Sequence, residues 1–238
     1  MNILAEHLDF RMLNEQVRYA ADDVFIDRCC GQRYIASGLR GKKITINGTP
    51  GNALGAYMDG SIIHVNGNAQ DAVGDTMNDG KIIIHGNVGD ALGYAMRGGS
   101  IFVRGNAGYR TGIHMKEYKD KKPAIIIGGK VGSFLGEYLA GGIIVVLGLG
   151  IKDVPVGNFT GTGMHGGSIF IRTEQELIGL PAQVIVKTAS QDDLKEITAY
   201  ISEFATCFGI ETDTFMKDRF YVLRPNAKSP YKQLYTAN

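Results

Sequence analysis

Histidine and serine are the first residues to consider for chemistry, because together they activate the nucleophile of many hydrolases. The chain contains five histidines, and none of its serines lies in the G-x-S-x-G turn that exposes the nucleophile of α/β-hydrolases. The pattern argues against a hydrolase. His64 and His85 belong to short apolar runs whose alternation points some side chains outward, and we expect rings that are solvated or hydrogen-bonded there.

The cysteines do not predict a metal centre. Cys29 and Cys30 are adjacent and Cys207 is far away. No C-x-x-C or mixed Cys/His spacing is present, so we expect free thiols rather than metal ligands.

Acidic residues give the remaining candidates for catalysis. A β-helical enzyme acting on carbohydrates needs paired acids or a Lys/Arg cluster on one face. Asp59, Asp79 and Lys81 are the stacked candidates, and the preference of aspartate for turns explains two of them equally well. The sequence therefore predicts no catalytic, cofactor-binding or metal-ligating residue in this chain.

A glycine repeat organises the middle of the chain. Glycine accounts for 33 of 238 residues, about twice the usual share of roughly 7%. Most units read G-x-x-G-x-x-x-G, and each glycine cluster precedes another apolar run rather than a helix, which excludes a phosphate-binding loop. We expect the leading glycines to be structural, because some corners need a positive φ and others leave no room for a side chain. They recur every 19 residues, with one insertion: Gly48, Gly67, Gly86, Gly105, Gly129 and Gly148.

Short apolar runs separate the glycine clusters, and a methionine recurs with the same step from Met58 to Met115. The runs are rich in β-branched residues and too short for helices. One unit cannot bury its apolar face alone, so like residues must stack on like residues. The sequence predicts an all-β fold, a parallel single-stranded solenoid of about seven coils, with strands at 44–46, 62–65, 82–84, 101–103, 125–127, 143–147 and 169–171.

Both ends of the chain depart from the repeat. We assign residues 1–40 to an N-terminal cap, 41–173 to the glycine-repeat solenoid and 174–238 to a small α/β appendage. The cap contains a predicted helix over 8–21, with Leu13, Val17 and Ala20 on one face. In the appendage, strands are predicted at 182–187 and 219–223, with a helix between them that begins at a capping box of Ser190 and Asp193. The appendage either covers the last coil or binds a partner.

Two interruptions of the repeat, at 109–122 and 149–167, are the candidate functional segments. Insertions on one edge of a solenoid often form a binding face, although a solvated loop is the alternative. The first interruption mixes an aromatic residue, a histidine and both charges, which favours a subunit contact over catalysis. The predicted interface residues are Arg110, His114, Lys116, Glu117, Tyr118, Phe159 and His165.

Charge and hydropathy bear on the kind of partner. The chain has 25 Lys+Arg against 24 Asp+Glu, a net charge of +1, which gives no reason to expect nucleic acid or an anionic membrane. No stretch approaches the roughly 18 apolar residues of a membrane span, and no signal peptide is predicted. We therefore expect a cytoplasmic protein.

The stacked units resemble the glycine-repeat (GXGXG) domain. That domain forms the C-terminal part of the large subunit of glutamate synthase and also occurs as one of the subunits of formylmethanofuran dehydrogenase. The resemblance spans roughly residues 25 to 173 and is shared in register by several coils. The sequence Asp27-Arg28-x-x-Gly31 is similar to the entry motif of the glutamate synthase branch.

The resemblance implies a right-handed β-helix that performs no chemistry and holds a glutamine amidotransferase and an FMN synthase subunit together; a homo-oligomer is the alternative partner arrangement. FMN and an iron–sulfur cluster are then expected in partner subunits and no cofactor in this chain. Unlike the family plan, the sequence carries no flavin barrel and no cluster-binding cysteines. A component of a formylmethanofuran dehydrogenase-type complex and a stand-alone β-helical enzyme remain alternatives.

Overall fold

The computed structural model describes residues 1–21 and 23–226, and a single eleven-stranded sheet runs along it. The sheet order is β1-β2-β3-β4-β5-β6-β7-β8-β9-β11-β10. In chain order the elements are β1 (Asn2–Leu4), α1 (Phe10–Tyr19), β2 (Val24–Cys30), β3 (Lys43–Thr49), β4 (Asp59–Asn66), β5 (Asp79–Ile84), β6 (Ser100–Val103), β7 (Ala124–Ile127), β8 (Ala140–Val146), β9 (Gly166–Arg172), β10 (Val184–Thr188), α2 (Gln191–Phe208), α3 (Asp213–Met216) and β11 (Phe220–Pro225).

Strands β2 to β9 stack in parallel and in sequence order, which confirms the predicted parallel β-helix. The seven predicted runs are β3 to β9, and β2 is an additional rung inside the segment assigned to the cap. The repeat does not reveal β2, because Cys29 pairs with Gly48 and so stands where later coils carry the leading glycine. A β-bulge between Ile26 and Cys29 also breaks the register.

The solenoid core consists of columns of like side chains. Parallel pairing places Ile63 between Ile44 and Ile82, all three fully buried. The predicted methionine column is buried from Met58 to Met164, with Leu139 in the same column. Each coil thereby completes the apolar surface of its neighbours, so stability depends on stacking rather than on any single unit.

Helix α1 closes the first coil. The Asp9 carboxylate caps it by accepting from the amides of Arg11 and Met12 at 2.8 and 2.9 Å. Leu13 and Val17 are fully buried against the core of the solenoid. The predicted apolar face of the cap helix is confirmed.

The appendage covers the outer face of the later strands. Helix α2 begins at the predicted capping box, in which the Ser190 and Asp193 side chains each accept from the other residue's amide. Ile201 and Phe204 pack with Phe102 and Phe170, which point away from the solenoid interior into a second buried cluster. Strand β11 pairs antiparallel with β9 and carries β10 outside it. Residues 227–238 of the assigned appendage lie outside the described residues.

None of the helices in the described part of the chain combines the length and apolarity that crossing a membrane requires.

Candidate subunit-docking surface

The corner of each coil is built from left-handed residues at alternate positions. In one coil, Ala53, Gly55 and Tyr57 have φ of +63°, +67° and +57°. A left-handed conformation costs a non-glycine residue roughly 1–2 kcal/mol. Hydrogen bonds between coils offset this cost: the amide of Ala53 donates to the carbonyl of Asp71 at 2.9 Å, and that of Tyr57 to Asp75 at 2.8 Å. The first and third corner positions therefore form two columns of side chains along the solenoid.

The first column becomes aromatic in the later coils. Phe134 and Phe159 stack with ring centroids 5.0 Å apart and an interplanar angle of 21°. The Arg110 guanidinium lies over the Phe134 ring, 5.2 Å from its centroid. Phe159 ends the column and is 54% exposed.

The second column runs beside it. His114 and Tyr138 stack at 5.0 Å with planes only 8° apart. The Tyr94 and His114 rings meet nearly at a right angle, with their centroids 6.0 Å apart. Arg110 also pairs with the Glu137 carboxylate at 3.1 Å, and the Glu137 side chain is only 13% exposed. This ion pair ties Arg110 of one coil to the next coil.

We call the six residues Tyr94, Arg110, His114, Phe134, Tyr138 and Phe159 the aromatic corner. Planar side chains and arginine are enriched at the centres of protein interfaces. Those of the aromatic corner are ordered by stacking before any partner arrives, which lowers the entropy cost of binding. The arrangement suits recognition of another protein.

The aromatic corner unites three of the predicted interface residues, Arg110, His114 and Phe159. Lys116, Glu117 and Tyr118 belong instead to the first insertion. Glu117 accepts from the amide of Gly142 at 3.0 Å, and Tyr118 pairs through its backbone with Lys121. His165 is half-buried, with Nδ1 3.2 Å from the carbonyl oxygen of Gly163.

The insertion folds back onto earlier coils. The Lys121 ammonium lies 2.9 Å from the Asp79 carboxylate and 3.3 Å from that of Asp59. The hydrogen bond from Lys121 lowers the pKa of Asp79, and the pairing raises the pKa of Lys121. The two stacked aspartates thus hold the loop as ion-pair partners, and Lys81 pairs with Glu203 of α2. This geometry does not resemble an acid–base pair, because each carboxylate already faces a cation.

The leading glycines serve two structural purposes. Gly48 has a φ of +120°, and a Cβ there would lie 2.2 Å from the carbonyl oxygen of Cys29. Gly86 is not left-handed, but a Cβ would lie 2.3 Å from Asn68 Oδ1 and 2.6 Å from the Gly67 carbonyl. Close approach between coils, more than backbone conformation, therefore explains glycine at Gly86.

Within residues 1–21 and 23–226, no three His, Cys, Asp or Glu side chains come together in a way that would hold a metal ion. Cys29, Cys30 and Cys207 are free thiols. Burial raises the pKa of Cys29 to about 11, so its nucleophilic thiolate form is suppressed at neutral pH.

The sequence did not predict three members of the aromatic corner, Tyr94, Phe134 and Tyr138, or Glu137, the ion-pair partner of Arg110. They lie in regular repeat units, whereas the predicted interface residues lie in or beside the interruptions. Register within the repeat would identify Phe134 and Tyr138, because they occupy the same places in their unit as Arg110 and His114.

Two comparisons with known proteins bear on the family of this chain. The chain is 41% identical over 247 residues to "Uncharacterized protein MJ1350" of Methanocaldococcus jannaschii, and the match covers 98% of this chain and 95% of that protein. The family model described as "GXGXG motif" matches residues 23–226. The chain therefore belongs to the GXGXG motif family.

Proposed function

We propose that this chain is a non-catalytic structural subunit of a glutamate-synthase-like complex, in which it holds a glutamine amidotransferase and an FMN synthase subunit together. The observation that carries the proposal is the aromatic corner, a set of stacked side chains on a solenoid of the GXGXG family.

The physical basis is that the side chains of the aromatic corner are ordered by contacts with one another, while its charged and titratable groups are not arranged as an acid–base or nucleophile–base pair. Arg110 and Glu137 neutralise each other at 3.1 Å. The His114 ring stacks on Tyr138 and meets the Tyr94 ring nearly at a right angle. A partner that covers these planar groups gains buried apolar area without having to order them first.

The test uses this chain together with recombinant amidotransferase and FMN synthase subunits from the same genome. Glutamine labelled with ¹⁵N in its amide group is supplied, and the label is followed into newly made glutamate and into free ammonia. We expect the full-length chain to increase the share of label reaching glutamate. The double substitution Arg110→Ala and His114→Ala should remove most of that increase.

Tyr34→Ala is the matched control, because Tyr34 is also left-handed and 46% exposed but lies at the other end of the solenoid. It should behave as wild type. Equal label transfer with and without the chain would contradict the proposal, as would stable association with a formyl-transferring metalloenzyme instead.

A further inference from the structure

The corner edges of neighbouring coils are joined by a ladder of amide hydrogen bonds. Between the last two coils, the amide of Val131 donates to the Pro155 carbonyl at 2.8 Å, that of Phe134 to the Asn158 carbonyl at 2.9 Å and that of Tyr138 to the Thr162 carbonyl at 2.8 Å. Each coil thus satisfies its corner amides with carbonyls of the coil that follows it.

Within residues 1–21 and 23–226, no coil follows the last one at its corner. Val156, Phe159 and Gly163 occupy the places of Val131, Phe134 and Tyr138, and no described residue accepts a hydrogen bond from their amides. Strands β11 and β10 continue only the sheet beyond β9. An edge of unpaired backbone donors is a ready template for another chain.

The interior of this end is closed although its corner is not. Leu177 is buried in the solenoid core, and Leu180 packs partly buried against it. Phe159 remains 54% exposed at the end of its stacked column. The open feature is therefore a strip of backbone with one aromatic ring rather than a gap in the core.

At the opposite end of the solenoid, helix α1 contacts the corner of the first coil. The Asn14 side-chain amide donates to the carbonyl of Arg33 at 2.8 Å, as a preceding coil would. The Phe10 ring of α1 lies 5.9 Å from Tyr34, which begins the first column. At one end of the corner ladder α1 thus supplies a donor, whereas no described residue supplies an acceptor at the other end.

We infer that the open corner edge at Val156, Phe159 and Gly163 receives, as one further rung, a segment of a partner subunit that bends in the same way as the corner. The inference rests on the proposed function. Carbonyls of the segment accept from the three amides, and an aromatic side chain stacks on Phe159 and prolongs the column. Main-chain pairing of this kind is a general mode of peptide recognition.

A second copy of this chain fits the edge less well. Head-to-tail stacking is blocked because α1 covers the complementary end and the β11–β10 pair extends the sheet. A two-fold pairing centred on Gly161 would place Gly163 opposite Phe159, which leaves the ring without a stacking partner. A parallel rung from another protein continues both the hydrogen bonds and the aromatic column.

Residue-resolved hydrogen exchange of the full-length chain tests the inference. Free in solution, the three open amides should exchange at least about 100-fold faster than those of Val131, Phe134 and Tyr138. Addition of the recombinant amidotransferase or FMN synthase subunit should protect them. Phe159→Ala should weaken that binding at least about tenfold, whereas Tyr34→Ala should change it less than about twofold. Alanine already occupies left-handed places in the first column, as at Ala53 and Ala91, so both variants should fold.

The outcomes separate the two proposals. A complex in which the three amides still exchange rapidly would overturn the rung and leave the proposed function intact. Slow exchange in the free chain would also overturn the rung. Absence of any complex with either subunit would overturn the proposed function and the rung together. A dimer of this chain that Phe159→Ala dissociates would replace the partner with a second copy.

Discussion

Gly86→Ala separates close approach between coils from backbone conformation as the reason for the glycine repeat. The added Cβ would lie 2.3 Å from Asn68 Oδ1 and 2.6 Å from the Gly67 carbonyl oxygen. The neighbouring coil must move away. That movement threatens two hydrogen bonds, from the Gly86 amide to Gly67 at 2.9 Å and from the Asn87 amide to Asn68 Oδ1 at 2.8 Å.

The magnitude follows from these two effects. Forcing an extra methyl group into a packed site costs about 1–3 kcal/mol, and each weakened hydrogen bond about 1 kcal/mol. We expect Gly86→Ala to lower the free energy of unfolding by about 3–5 kcal/mol and the Tm by roughly 10 °C. The reason is steric, because φ at Gly86 is not positive.

Gly41→Ala is the matched comparison. Gly41 has a φ of +64°, and an added Cβ would meet nothing within 4 Å. Only left-handed strain remains, so the cost should be about 1 kcal/mol and the Tm should fall by about 2–4 °C. Thermal unfolding followed by circular dichroism measures both. The reasoning is refuted if Gly86→Ala melts within about 2 °C of wild type, or if Gly41→Ala is the more damaging change.

Three further predictions concern ion pairs and thiols. Hydrogen bonds from the Ser190 amide and from Arg224 lower the pKa of Asp193, so its contribution to stability is present above about pH 4 and is lost as pH falls below that. Denaturant titrations should show Asp193→Asn less stable than wild type at pH 7 and losing less stability on acidification; parallel pH profiles would contradict this. Iodoacetamide at pH 8 should label the exposed Cys30 and spare the buried Cys29. Mass spectrometry measures the labelling, and equal labelling of the two thiols would contradict the burial of Cys29. Lys121→Ala should accelerate tryptic cleavage at Lys119 several-fold with little change in Tm, because exposed ion pairs contribute only about 0–1 kcal/mol; unchanged cleavage would mean that the pairs with Asp59 and Asp79 do not hold the loop.

The stacked core could be predicted because its columns repeat in the sequence. Met58 and Met77 occupy equivalent buried places, and so do Ile63 and Ile82. Strand β2 could not, since Cys29 stands in the glycine position and the bulge disturbs the step. A periodic pattern identifies only those repeat units that match one another, so it misses the first unit, which differs from the rest.

The packing of α2 against the sheet gives a weaker signal in the sequence. The outward column of the strands reads Thr45 and His64 in early coils and Phe102 and Phe170 in later ones. The change from polar to apolar marks where the helix covers the sheet. It becomes visible only once inward and outward positions are assigned, which required the register of the strands.

The sequence named three of the six residues of the aromatic corner. Arg110, His114 and Phe159 were found because they adjoin interruptions of the repeat. Phe134 and Tyr138 were not, because nothing in a single unit indicates that non-glycine residues take left-handed corner positions, with φ of +63° and +54°. Hydrogen bonds between coils select that conformation, so it depends on stacking that local propensity does not encode.

The most direct test of the central claim is the composition of the assembly formed by this chain with the recombinant amidotransferase and FMN synthase subunits. Size-exclusion chromatography with light scattering measures its mass. The account predicts one species containing all three proteins, which separates into its enzymes when this chain is omitted. Assembly of the two enzymes without this chain, or elution of this chain by itself, would contradict a scaffold role.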